Sequence, residues 1–139
     1  MKKIEAIIRT ERLDVVRQTL EHAGYVGMTV SEVRGRGVEH GMEMVWRGSR
    51  IHLALRPKTR LEIVVQDDMV QPLIEAILAS AYTGEPGDGK IIVSPVDEII
   101  RIRTGEYGVK AISVASSEPE TLEGKPAVRS ERHAVGSNA

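Results

Sequence analysis

The chain has no cysteine among its 139 residues, which excludes disulfides, thiolate metal sites and a cysteine nucleophile, and nothing marks an oxidising compartment. It has no phenylalanine, one tryptophan (Trp46) and three tyrosines (Tyr25, Tyr82, Tyr107), so base-stacking platforms and aromatic cages have little to be built from. It lacks net charge: 19 Lys and Arg against 20 Asp and Glu leave −1, too little for a bulk field that would draw it to nucleic acid or an anionic membrane. It also lacks a long apolar run; the stretch behind Lys2-Lys3 is broken by Glu5 and Arg9 before a signal-peptide core forms. These absences lead us to expect a cytoplasmic protein with no nucleic-acid partner and no direct membrane insertion.

What is present is periodicity. Ile4, Ala6 and Ile8 alternate as on one face of a strand, and Leu13, Val16, Leu20 and Ala23 then recur at helical spacing up to Gly24, which reads as a C-cap. A second strand, Met28 to Val33, completes a β-α-β unit. The pattern returns 57 residues later: Ile4, Ala6 and Ile8 map onto Leu61, Ile63 and Val65, and Leu13, Val16 and Leu20 onto Val70, Leu73 and Ile77. Met28 and Val30 map onto Ile91 and Val93 at an offset of 63, so the second copy carries six extra residues (63 less 57) between helix and strand. Two such units predict an α+β, ferredoxin-like double β-α-β domain over 1–112, with a four-stranded antiparallel sheet and two helices on one face. The other face must be polar or be covered by oligomerisation.

Two stretches fit no packed element. Residues from Val33 to Leu61 carry Arg34-Gly35-Arg36-Gly37, Gly41 and Gly48, a connection far longer than a hairpin needs and of a length that is usually functional or disordered. From 113 to 139 the composition turns to Ser, Glu, Pro, Gly and Ala, and a disordered tail is expected.

The extra residues fall in Thr83-Gly84-Glu85-Pro86-Gly87-Asp88-Gly89-Lys90. Their spacing matches the front of a P-loop, but Ile91 stands where a magnesium-binding Ser or Thr belongs and a strand follows instead of a helix. Glycines that let backbone N–H groups converge, beside the charge of Lys90, still suit an anion cradle. Arg101 and Arg103, two apart, would on an extended backbone send two guanidinium forks from one face, a clamp for a polyanion. Histidines 22, 40, 52 and 133 are scattered and form no metal site on paper, and no Ser-His-Asp or paired-carboxylate set is placed for catalysis. An acylphosphatase-like enzyme on this topology would need an anion-binding arginine after the first strand, a part open to Arg9 or Arg12. We expect no enzyme.

Lys3-Ile4-Glu5-Ala6-Ile7-Ile8, Gly27-Met28-Thr29-Val30, Arg34-Gly35-Arg36-Gly37, Pro57-Lys58, Glu62-Ile63-Val64-Val65, Thr83-Gly84, Gly87-Asp88-Gly89-Lys90-Ile91 and Arg101-Ile102-Arg103-Thr104-Gly105-Glu106, in that order, resemble the PII nitrogen-regulatory family. The resemblance implies a homotrimer that binds ATP or ADP in intersubunit clefts. Thr29, Gly35, Gly37, Val38, Val64, Gly87, Asp88, Gly89 and Lys90 would line one side, with Arg101 and Arg103 reaching the phosphates from the neighbouring subunit. It also implies an effector loop at about 37–55 that controls a target such as a transporter or metabolic enzyme.

Departures accompany the likeness. Ile51 stands where the family carries a modified loop tyrosine, while Ser49 resembles a serine phosphorylated in some members. Val38 replaces a phosphate-contacting arginine, and Glu39 replaces a glutamine that helps hold magnesium and 2-oxoglutarate. A carboxylate can still ligate magnesium, but it repels a dianion, so 2-oxoglutarate is expected to bind poorly although its lysine partner, Lys58, remains. The alternatives are a diverged PII-like sensor of ADP or AMP and another small anion such as bicarbonate, and a trimeric metal-tolerance or structural protein of related fold.

Overall fold

The computed structural model describes residues 1–37, 43–52 and 55–113, with 43–46 and 49–52 described by their backbone. The chain falls into two compact units, Met1–Val96 and a second that begins at Asp97.

In the first unit, strand β1 (Lys2–Ile8) leads through a 3-10 turn (Thr10–Arg12) into helix α1 (Leu13–His22). Gly24, at φ 93°, ends that helix in the left-handed region, and the Tyr25 N–H returns to the Leu20 carbonyl at 2.9 Å, capping an open carbonyl of the last turn. Strand β2 (Thr29–Gly35) closes the first β-α-β unit. The second copy runs through β5 (Arg56–Val65), a 3-10 turn (Asp67–Met69), α2 (Val70–Ala81) and β6 (Gly89–Pro95). The two 3-10 turns and the two helix starts stand 57 residues apart, as the repeat requires. Pro72 is tolerated in α2 because it sits in the first turn, where its missing N–H has no partner to lose.

The sheet order is β2-β5-β1-β6, every neighbouring pair antiparallel. Its register confirms the larger offset between the last strands: Val30 faces Leu61 across β2 and β5, and Val93 faces Ile4 across β6 and β1. Ile4, Ala6, Ile8, Leu61, Ile63 and Val65 point from the sheet onto Val16, Leu20, Leu73 and Ile77 of the helices, all of them buried. Ala23, expected in the helix stripe, is exposed because α1 ends before it; Tyr25 takes the covering role, buried, with its hydroxyl donating to the Met69 carbonyl at 3.3 Å. The opposite face of the sheet mixes Ile7, Val33, Val64 and Ile92 with charged pairs, Lys3 with Glu5 at 4.0 Å and Arg60 with Glu62 at 3.5 Å.

The described part of the long connection holds more strand than its composition suggests. β2 continues two residues past Val33, β5 starts five residues before Leu61, and between them β3 (Glu43–Trp46) and β4 (Ser49–His52) pair as a hairpin. Arg47 and Gly48 turn it with φ of 51° and 78°, positive at both central positions as a tight hairpin of this hand demands. Arg-Gly is a weaker signal for that turn than Asn-Gly, which is why the sequence did not disclose it.

In the second unit the expected extended stretch at Arg101 and Arg103 is instead a turn. The Gly105 N–H closes onto the Arg101 carbonyl at 2.7 Å, and Ile100 pairs with Tyr107 across it. A left-handed residue is needed to close the turn, and Gly105 supplies it at φ 70°. Helix α3 (Val109–Ile112) follows. The tail from 114 onward lies outside the described residues.

Truncating Leu73, which is fully buried between helix and sheet, to alanine should cost about 2–5 kcal/mol. Val15→Ala on the exposed side of α1 should cost less than about 1 kcal/mol. Urea denaturation of the two variants checks the difference.

Candidate anion-binding cleft

Three segments end at one corner of the first unit: the C-terminus of β1, the junction of β2 with β5, and the loop that brings α2 into β6. The loop is held in shape by a carboxylate. Asp88 accepts from the Thr83 N–H at 2.8 Å, the Gly84 N–H at 2.9 Å, the Thr83 hydroxyl and the Arg9 Nε at 2.9 Å. With that many donors, the Thr83 hydroxyl foremost, its pKa lies well below the usual carboxylate value. Arg9 reaches on from Asp88 to the carbonyls of Pro86 at 2.7 Å and Glu85 at 3.3 Å, so a cation at the end of β1 ties down two points of the loop.

Glycine is required here at three positions. Gly84 and Gly87 turn at φ 87° and 98°, and a Cβ on Gly89 would lie 1.7 Å from the Ile7 carbonyl oxygen, an impossible approach for any side chain. The backbone therefore packs directly on β1 where Gly89 opens the edge strand β6, and Lys90, the next residue, stands opposite Ile7.

The cleft between this loop and the β2–β5 end has a volume of about 360 Å³, within the range of small-ligand sites. Lys90, Gly87 and Gly89 line one side and Gly35 and Gly37 the other, with Ile7 and Val33 below them. Its remaining lining is basic: Arg9 at the loop, Arg34 and Arg36 from β2 and its exit, and Arg56, Lys58 and Arg60 alternating along β5. Among the described residues, no Asp or Glu lines it. Lys58 donates to the Gly87 carbonyl, and burial first, then the neighbouring Arg9, lower its pKa from the ordinary lysine value. The side chains of Arg34, Arg56 and Lys90 form no hydrogen bond or ion pair with another described residue.

Of the residues expected at a nucleotide site, Gly35, Gly37, Gly87, Gly89, Lys90 and Lys58 come together in this cleft. Asp88 belongs to it as a positioning residue, its carboxylate turned into the loop. Thr29 and Val64 lie at the far end of the sheet, beside the β2–β5 pair Thr29–Glu62 and the β1–β5 pair Lys3–Val64, and do not line it. Val38 and Glu39 lie outside the described residues, and Ser49 is described only by its backbone.

Arg101 belongs to the second unit, where its guanidinium pairs with Glu106 at 2.9 Å and donates to the Ser113 carbonyl; Arg103 is exposed there. The turn at 101–104 removes the shared face that the two arginines would have on a strand. The enzyme reading loses its candidates as well, because Arg9 is occupied by the loop and Arg12 by the Ser80 carbonyl at 2.5 and 3.1 Å. Among the described residues no group of three acidic, histidine or cysteine side chains is placed to hold a metal, and no helix is long and apolar enough to cross a membrane.

Sequence reasoning missed Arg34, Arg36, Arg56 and Arg60 as site residues. The signal was present in Arg56-Pro57-Lys58-Thr59-Arg60, where alternation on one strand places three cations on one face.

A ferredoxin-like domain carries, beside a long insertion between β2 and β5, a basic cleft that no carboxylate lines among the described residues. The model of the family described as "Nitrogen regulatory protein P-II" matches residues 1–106. Three relatives match over 112 residues, 81% of this chain in each case. The nitrogen regulatory protein P-II 2 of Methanothermobacter thermautotrophicus is 54% identical over 97% of its own length. The P-II proteins of Nostoc punctiforme and Microchaete diplosiphon are 52% and 51% identical over all of theirs. The chain belongs to the P-II nitrogen regulatory protein family, and its role is signal transduction rather than catalysis.

The loop's carboxylate has a pH signature. Because the folded pKa of Asp88 is below the unfolded value of 3.8, its stabilisation is complete above that pH and is lost as pH falls through the folded value. Asp88→Asn should lower stability at pH 7 by about 1–3 kcal/mol. It should also flatten the acid limb of the stability curve, read from urea midpoints between neutral and strongly acidic pH.

Proposed function

We propose that this chain is a nucleotide sensor that binds ATP or ADP with its phosphates against Gly87, Gly89 and Lys90, and that it works as a homotrimer. The observation that carries the reading is the cleft itself, a glycine-lined pocket with a basic lining and no carboxylate among its described lining residues. Such a site disfavours cations and neutral ligands and stabilises a polyphosphate by charge-assisted hydrogen bonds. Thr29 and Val64, remote from the cleft of their own chain, suit contact with a nucleotide held mainly by an adjacent copy, and Arg101 and Arg103 are assigned to the same intersubunit role. The mixed open face of the sheet, with Ile7, Val33, Val64 and Ile92 among charged pairs, supports burial between copies. The segment 37–55, joined to the cleft through Gly37 and Arg56, is the part that reports occupancy to a target transporter or enzyme. A magnesium ion accompanying the nucleotide would draw its ligands from phosphate, water and Glu39.

Calorimetry with ATP and ADP tests the reading. Dissociation constants of micromolar order, about −8 kcal/mol, are expected. Lys90→Ala should weaken ATP by about 1.5–3 kcal/mol, and an unchanged affinity in that variant would remove the site. Light scattering should return three times the 15.3 kDa chain mass.

Titration with 2-oxoglutarate in the presence of Mg-ATP should show little or no binding. A like-charge pair at roughly 4 Å in an effective dielectric near 20 costs on the order of 4 kcal/mol, and Glu39 supplies the opposing charge. Glu39→Gln should gain the ligand; equal binding by both proteins would make Glu39 a metal ligand instead.

A further inference from the structure

Lys58 is held in a way that the nucleotide reading does not use. It lies in the middle of the alternating row Arg56, Lys58, Arg60 on one face of β5, opposite Val33 of β2. Its stem passes Gly35, whose Cβ position is 3.9 Å from the Lys58 Cγ, and its amine ends at the Gly87 carbonyl, to which it donates. The point that a Cβ on Gly87 would occupy is 3.4 Å from the Lys58 Nζ and 3.5 Å from the Arg9 Nη2, so amine and guanidinium crowd one glycine. No carboxylate pairs with this amine among the described residues: Asp88 bonds Arg9 at 2.9 Å, and Glu11 meets Arg9 at 3.9 Å. Burial first, and Arg9 next, lower the Lys58 pKa from the ordinary lysine value; Arg56 acts in the same sense, against Glu11 and Asp88. More of this amine is therefore unprotonated at neutral pH than on an ordinary surface lysine, and the unprotonated amine is the nucleophile.

We propose that Lys58 is a covalent modification site for carbon dioxide, its amine forming a carbamate within the basic row of β5. The nitrogen lone pair forms the N–C bond, one C–O π bond opens to leave a carboxylate, and one proton leaves the nitrogen for solvent. The step needs no oxidant, reductant or further reactant. The surroundings suit both ends of it. Carbon dioxide is small and uncharged, so the cations of the cleft do not repel it. The product is an anion, and the forked donors of Arg56, two residues away on the same face and without a partner among the described residues, match its two oxygens. The carbamate nitrogen keeps one N–H, so the bond to the Gly87 carbonyl survives the reaction. Charge at this point changes from positive to negative, which relieves the crowding of like charges along Arg56, Lys58 and Arg9. On the nucleotide reading a negative group then stands in the cleft that holds the phosphates, so carbon dioxide opposes ATP.

The inference rests on the nucleotide reading only for that opposition. Its test is to equilibrate the full chain with carbon-13-labelled carbon dioxide and bicarbonate at constant pH and ionic strength, trap carbamates by ethylation with triethyloxonium, and locate the label by peptide mass spectrometry. Lys58 should carry the labelled adduct at no less than tenfold the occupancy of Lys2, Lys3, Lys90 or Lys110. Arg56→Gln, checked for an unchanged circular dichroism spectrum, should lower the Lys58 occupancy at least threefold. An unlabelled Lys58, label spread evenly over the lysines, or an occupancy indifferent to Arg56→Gln would overturn the site. In calorimetry, the same gas and bicarbonate mixture should weaken ATP at least threefold in the parent and to a smaller extent in Lys58→Arg, which keeps the positive charge but forms no carbamate. An equal response in both proteins would overturn the opposition to ATP, as competition by bicarbonate alone explains it. Labelled Lys58 in a chain that binds no ATP would refute the nucleotide reading and leave the carbamate standing.

Discussion

The pairing of Arg9 with Asp88 is the interaction on which the cleft depends. It joins the last residue before the first turn to the last loop residue before β6, across 79 positions of sequence, and it does so with a charge-assisted bond at 2.9 Å. Without it, the loop's six extra residues would be held between α2 and the Gly89–Ile8 pair of the sheet by little more than the Lys58 bond to the Gly87 carbonyl. Asp88 compensates Arg9 and fills its own remaining acceptor sites with loop N–H groups, so neither charge is left to compete for a ligand. The basic character of the cleft then comes from side chains further along the sheet.

That arrangement separates shape from charge. Thr83, Gly84 and Asp88 fix the course of the loop through hydrogen bonds to one carboxylate. Gly89 fixes its distance from β1, because its missing side chain is what allows the close approach to the Ile7 carbonyl. The cleft's strand-borne charges sit at positions set by the sheet ladder and by the buried row of Ile4, Ala6, Leu61 and Ile63 beneath it. A rigid core thereby places the cations, while a self-bonded loop closes the cleft over them.

How much of this was legible in the sequence follows from the range over which each feature is determined. The repeat, the two helices and the sheet order follow from local apolar periodicity, and the offsets of 57 and 63 survive as the actual register. The glycine loop was legible as a cradle because its glycines and Lys90 are contiguous. The role of Asp88 was not, since its chief partner, Arg9, is remote in sequence and nothing in the local composition says which way a carboxylate turns. The extended backbone expected at Arg101 and Arg103 was not found for the opposite reason: spacing by two has one meaning on a strand and another in a turn, and Gly105 decided for the turn. The hairpin 43–52 hid behind an Arg-Gly pair whose left-handed conformation is uncommon for arginine.

The two copies of the β-α-β unit are not equivalent at their corners. The residue that corresponds to Arg9 in the second copy is Gln66, which carries no charge, and the short connection after α1 lacks the six extra residues. At that corner Tyr25 turns inward and its hydroxyl meets the Met69 carbonyl, so the space is filled by core instead of left open. A duplicated architecture has therefore filled one corner with core and opened its counterpart, so the two ends of the domain differ among the described residues. In any closed ring of such chains every corner faces its neighbour in the same sense, which gives the assembly one direction of rotation and as many equivalent sites as it has members.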